Sequence, residues 1–202
     1  GLKPRVLEVG SLYVNGGVRE DTRNFAGEYI GIDMRGGEGV DRILPAEKIL
    51  EAYEKESFQV VMSTEMLEHA RTWHLAVYNM VMALEPNGIL VLTARSVGFG
   101  RHGYPDDYWR FSIEDFLTTF KPVGEILHLE QDPSGYPGVG MILRKNSEPM
   151  SDKFAKDWLA DLENQKISNI TFGKCTSLEL SELEKTIPKI SLVMIVKNEI
   201  KC

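Results

Sequence analysis

Val6-Leu7-Glu8-Val9-Gly10-Ser11, followed by Asn15-Gly16-Gly17, is the stretch that decides the fold. Aliphatic residues flank an acid and run into a glycine, and a glycine-bearing loop follows. A short apolar run closed by turn residues reads as a buried strand. A strand that ends in such a loop and leads to a helix-compatible segment is how a parallel α/β sheet opens a ligand site at the carboxyl end of its first strand. Position 10 suits glycine because a residue without Cβ lets a ligand approach the backbone closely.

Working outward, the same pattern repeats. Residues 15–25 read as a helix with Asn15 at its N-cap. Tyr29-Ile30-Gly31-Ile32-Asp33 is a second apolar strand ending in an acid. Asp33 follows Gly10 at the ~20-residue interval at which an acid accepts ribose hydroxyls. A short third strand is expected over 40–44 and a helix over 45–55, with Pro45 in its first turn. Residues 58–63 form a fourth strand, 75–84 a helix, Glu85-Pro86-Asn87-Gly88 a turn, and 89–94 a fifth strand. Alternating strands and helices predict a parallel sheet with helices on both faces. A long loop, 96–111, then breaks the pattern. Ser112 with Asp115 marks a helix start. Two strands, 123–130 and 139–144, flank a turn rich in glycine and proline and read as an antiparallel hairpin. A helix over 150–164, a polar connector over 167–189 with a helix near 178–185, and a β-branched strand over 190–196 complete the chain.

Composition is that of a globular domain: 202 residues, 43% hydrophobic and 26% charged. The formal net charge of -7 argues against nucleic-acid binding, which needs a basic face. The sequence holds no apolar run near the ~20 residues of a membrane helix. Cys175 and Cys202 have no metal-ligand spacing and fit a reducing cytoplasm. The chain opens at Gly1 without methionine and stops at Cys202 beyond a strand-like run, which reads as a fragment of a longer protein.

The segments Leu7-Glu8-Val9-Gly10-Ser11, Gly31-Ile32-Asp33, Ser63-Thr64-Glu65-Met66-Leu67-Glu68-His69 and Leu84-Glu85-Pro86-Asn87-Gly88 together resemble the class I S-adenosylmethionine-dependent methyltransferases, over roughly residues 2–145. The resemblance implies an α/β three-layer sandwich with a Rossmann-like, mostly parallel seven-stranded sheet whose last strand pair is antiparallel. It implies S-adenosyl-L-methionine as cofactor and a small-molecule acceptor. Glu8 would lie near the methionine amino group, with Gly10, Ser11, Asn15 and Gly16 forming the loop. Asp33 would hold the ribose and Met34 would pack beside the adenine. Pro45-Ala46-Glu47 stands where the family often has an Asp-Ala pair, so the usual acid is missing at Pro45, and the Ala46 backbone or Glu47 would substitute for it. Ser63, Thr64 and Glu65 would flank the methionine moiety. A dinucleotide site is disfavoured: Ser11 and Leu12 follow Gly10, so the G-x-G-x-x-G that seats a pyrophosphate is absent.

Acceptor chemistry falls to two segments. His69 is a candidate general base, since an ordinary imidazole titrates near neutrality; the alternative is a histidine that only orients its loop. The loop His102-Gly103-Tyr104-Pro105-Asp106-Asp107-Tyr108-Trp109-Arg110-Phe111 carries further candidates. His102 and Asp106 are candidate proton acceptors, and the tyrosines could stack on an acceptor. The alternative is a lid that packs Trp109 and Phe111 and anchors Arg110 by a salt bridge. His102, Asp106 and Asp107 could also hold a divalent cation, but no metal is expected: His69 and His74 lack the i, i+4 spacing of a zinc helix.

At the other end, Ile190-Ser191-Leu192-Val193-Met194-Ile195-Val196-Lys197-Asn198-Glu199 resembles the opening strand of family 2 glycosyltransferases. The expected organisation is therefore a methyltransferase domain over 1–146, a helical linker over 147–189, and the start of a glycosyltransferase domain over 190–202. That context points to glycan biosynthesis.

Overall fold

The computed structural model describes residues 3–14, 16–103, 106–132 and 136–169. The proposed strand and domain start over 190–202, and the helix near 178–185, lie outside the described residues, as does Asn15.

Five parallel strands come first: β1 (Arg5–Val9), β2 (Glu28–Asp33), β3 (Arg42–Ile43), β4 (Phe58–Thr64) and β5 (Leu84–Arg95). Two more, β7 (Gly124–Gln131) and β8 (Gly138–Lys145), form the antiparallel hairpin. The seven-stranded sheet has the order β3-β2-β1-β4-β5-β8-β7, and β8 runs antiparallel to β5. Consecutive strand residues point to opposite faces, and neighbours divide accordingly. Leu7, Val61 and Leu90 belong to one core; Val6, Val60 and Val91 belong to the other. Burial on both sides is why the central strands are largely apolar on both faces and do not alternate with polar residues.

The two faces are covered unequally. The first core is roofed by α2 (Ile49–Ala52), α3 (Trp73–Ala83), α4 (Ile113–Phe120) and α5 (Asp152–Asn164). The second is covered by the four-residue α1 (Arg19–Thr22) and its flanks, through Val18, Phe25 and Ala26. The helix expected over 15–25 is this short because Gly16-Gly17 favours loop over helix. The helix expected over 45–55 is likewise interrupted. Pro45 is extended, a 3₁₀ turn spans Ala46–Lys48, and α2 ends at Ala52. The turn expected over 85–88 is an irregularity inside β5: the register shifts between Leu84, paired with Phe58, and Ile89, paired with Val60, and Asn87 has φ of 63°.

Ser112 caps α4 as its spacing predicts, its hydroxyl accepting from the Asp115 amide while the Asp115 carboxylate accepts from the Ser112 amide. The helix in the segment read as a linker is not free. Ala155, Trp158 and Leu162 of α5 are buried, and Trp158 Nε1 donates to Thr119 O at 3.1 Å. Beyond it β9 (Ser168–Asn169) pairs with β6 (Trp109–Arg110) of the long loop.

Candidate functional site

The strand order reverses beside β1, between β1 and β4, which is where open α/β sheets bind ligands. A cleft of about 280 Å³ opens there. Its wall takes in Glu8, Gly10, Ser11 and Gly16 from β1 and its loop, Asp33 at the end of β2 with Met34 after it, Ala46 and Glu47 ahead of α2, and Thr64 at the end of β4 with Glu65 after it. The lining also takes in His69, Phe99, His102, Asp106 and Tyr108. The sequence-derived candidates thus converge on one cavity, with two exceptions. Asn15 is outside the described residues. Ser63 is fully buried and donates its hydroxyl to Val9 O at 2.9 Å, joining β4 to β1 rather than facing the cleft.

The glycine loop is built tightly. Gly10 has φ of +79°, and its amide and that of Ser11 both donate to Ile32 O, at 2.9 and 3.0 Å. A Cβ at Gly10 would stand 2.6 Å from Met66 Cβ. Ser11 is buried, and its hydroxyl has no hydrogen-bond partner among the described residues. Glu8 is buried and accepts from the Tyr29 hydroxyl at 2.8 Å. Burial, with the Glu8 charge added, pushes the Tyr29 phenol well above its ordinary range, so it stays a donor. Asp33 Oδ1 accepts from the Arg35 amide at 2.9 Å, and Met34 beside it is exposed. At the missing Asp-Ala pair, Glu47 accepts from the Thr72 hydroxyl at 2.9 Å and Ala46 O from Asn79 at 3.1 Å.

Past β4 the chain turns sharply. Glu65 has φ of 54°, and its carboxylate lies 2.5 Å from Arg95 Nε. Arg95, at the end of β5, also lies over the Phe99 ring at 4.2 Å. His69 Nδ1 is 2.5 Å from Asp106 O. A carbonyl only accepts, so Nδ1 carries the proton and Nε2 keeps its lone pair. Burial lowers the His69 pKa, the bond to Asp106 O opposes this, and nearby His102 adds to the lowering. His69 is therefore neutral at physiological pH.

The loop over 96–111 is clamped at its base. Ser96 donates to Phe111 O at 2.6 Å, and Phe111 N to Arg95 O at 2.9 Å. Buried Arg110 forks onto Asp107 at 2.6 and 2.7 Å and also donates to Phe99 O and Gly100 O. This is the anchoring salt bridge the alternative reading expected. Phe111 is buried in the core, and Trp109 Nε1 donates to Ala70 O at 2.9 Å, so both serve packing. Asp106 is exposed at the rim, where its carboxylate accepts from the Tyr108 hydroxyl at 3.1 Å. Tyr104 and Pro105 lie outside the described residues.

Sequence reasoning missed Arg95, Arg71, Met66 and Phe99, all in the cleft wall. An arginine closing the largely apolar run over 89–94 was the available signal for Arg95, because a buried cation needs a partner.

No protein-family model and no curated protein matches this chain in sequence. Solved structures do match in fold. The Burkholderia thailandensis 1,6-didemethyltoxoflavin-N1-methyltransferase, with bound 1,6-didemethyltoxoflavin and S-adenosylhomocysteine, is similar with a TM-score of 0.58 and 15% identity, covering 72% of each chain. An S-adenosylmethionine dependent methyltransferase from Mesorhizobium loti has a TM-score of 0.55 and 14% identity, over 71% of this chain and 92% of that one. The [4+2]-cyclase SpnF has a TM-score of 0.59 and 16% identity, over 73% and 76%. From strand order to switch-point cleft, this chain has the fold of the class I S-adenosylmethionine-dependent methyltransferases.

Proposed function

We propose that this protein transfers a methyl group from S-adenosylmethionine to an oxygen or nitrogen of a small acceptor, a sugar hydroxyl being one candidate. The observation that carries the reading is the single cleft that joins Glu8, Gly10, Asp33 and Met34 to the histidine-bearing side. Asp33 has one oxygen on the Arg35 amide, and the other suits a ribose hydroxyl. Exposed Met34 offers apolar surface to an adenine. Glu8 supplies negative charge near a cationic amino group. The sulfonium makes the methyl carbon electrophilic, so alignment and exclusion of water are the protein's main tasks. The acceptor's lone pair forms the new bond to carbon as the C–S bond breaks and sulfur keeps its electrons. His69 Nε2 is available to take a hydroxyl proton.

Calorimetry tests the cofactor assignment. Asp33→Ala is expected to weaken S-adenosylmethionine binding about 10- to 100-fold, as loss of a charge-assisted hydrogen bond predicts; unchanged affinity removes the ribose assignment. His69→Ala should cut turnover by about 100-fold or more with cofactor affinity kept, read with labelled methyl donor and a panel of hydroxyl and amine acceptors that includes nucleotide sugars. A second reading is a non-catalytic, cofactor-binding accessory module of a glycosyltransferase. It draws on the acid missing at Pro45, and on Glu47, the candidate substitute, whose carboxylate accepts from the Thr72 hydroxyl. Cofactor binding without turnover on any acceptor would favour it.

A further inference from the structure

Glu68 lies in the turn between β4 and α3 and is 0% exposed. Neither of its carboxylate oxygens has a hydrogen-bond partner among the described residues. A carboxylate buried in that state costs several kcal/mol unless a proton, a cation or a donor reaches it. The nearby guanidiniums are committed elsewhere, Arg110 to Asp107 and Arg95 to Glu65. What faces Glu68 is imidazole: His102 Nε2 stands 3.8 Å from its Oε1. His69 completes the group, and one ligand atom from each of the three residues lies within 4.8 Å of the other two. The two histidine rings meet edge to face, their centroids 4.8 Å apart.

Both histidines are held from behind. Nδ1 of His69 is on Asp106 O, and Nδ1 of His102 is 3.2 Å from Asp107 Oδ2, which the Arg110 fork fixes in place. Outer contacts of this kind set the tautomer and orient histidines that ligate metals. The His69 bond leaves Nε2 of that ring with a lone pair; the His102 contact is a charge contact and not a hydrogen bond.

We propose that Glu68, His69 and His102 hold one divalent transition cation, zinc or a similar ion, beside the cleft. Two imidazoles and a carboxylate form a donor set suited to such ions. Ligand atoms about 2.1 Å from a tetrahedral metal stand about 3.4 Å apart, so side-chain rotations of an ångström or so close the group. Three protein ligands leave a coordination position open. Because His69 and His102 line the cleft, that position faces it. This part rests on the methyl-transfer reading: the open position would take the acceptor's hydroxyl oxygen. Coordination lowers the hydroxyl's pKa and its proton passes to solvent water. The oxygen then attacks the methyl carbon while sulfur leaves with the C–S pair. His69 would act as a ligand and not as the base, and the expectation that no metal is bound would be replaced.

The test uses the whole chain, stripped with a chelator, dialysed and titrated calorimetrically with zinc and with manganese. Glu68→Gln and His102→Ala are run alongside, with circular dichroism to confirm folding and S-adenosylmethionine titrated separately on each sample. Wild type is expected to bind one equivalent, with each variant weaker by about 100-fold or more and Glu68→Gln retaining its cofactor affinity. Folded wild type that binds neither ion overturns the site, and so does binding that persists in both variants. Cation binding without S-adenosylmethionine binding would remove the methyl-transfer reading and leave the site standing. Cofactor binding without cation binding would do the reverse.

Discussion

A methyl group added at Gly10 would sit 2.6 Å from Met66 Cβ, on backbone with φ of +79°. Both the left-handed backbone and the overpacking oppose it. Gly10→Ala should therefore cost about 2–4 kcal/mol in urea unfolding and weaken cofactor binding too. At this scale the sequence was informative wherever a residue type is chemically unusual for its place. Gly10, Glu8 and Asp33 stood out because glycine and acids are out of keeping with buried apolar strands. Ser63 misled for the opposite reason. Its neighbours Thr64 and Glu65 reach the cleft, but a strand alternates, and a fully buried hydroxyl bonding Val9 O has nothing in its local sequence to reveal it.

Among the elements, the clamped loop carries the clearest electrostatic signature. Burial alone would raise the Asp107 pKa, but the Arg110 fork and His102 together hold it far below the usual carboxylate range. A carboxyl depressed in the folded state stabilises fully above its unfolded pKa of ~3.9 and loses that stabilisation as pH falls toward the folded value. Asp107→Asn should thus lower stability by about 3 kcal/mol near neutrality. Its melting temperature should approach that of wild type in acid, in a scan of melting temperature against pH. Ser112→Ala should remove the capping box of α4 and cost about 1 kcal/mol in chemical unfolding. That cap was legible because Ser112 and Asp115 are close in sequence. The β6–β9 pair was not, since it joins residues far apart through two-residue strands with no periodicity to read.

For the molecule as a whole, the alternation of apolar strands and helices specified the parallel half of the sheet, and the glycine-proline turn specified its antiparallel edge. The unequal coverage of the faces was not legible, because it depends on how the glycine-bearing loop limits α1. Nor was the docking of α5. An amphipathic helix shows that it has an apolar face, without showing which surface receives it. Trp158 is buried, tilted against Tyr78 with ring centroids 6.0 Å apart, and bonded to Thr119 O. Trp158→Ala should cost about 3–5 kcal/mol and shift one cooperative transition. A separate early transition for α5 would mean that it folds apart from the sheet.

The pairing of β9 with β6 has a mechanical meaning. Trp109 and Arg110 stand at the root of the loop that holds His102, and their strand partners Asn169 and Ser168 lie at the far end of the described chain. Tension or docking applied there is passed across that ladder to the Arg110 fork. The His102-bearing part of the cleft is thus tethered, through that ladder, to the segment that follows α5.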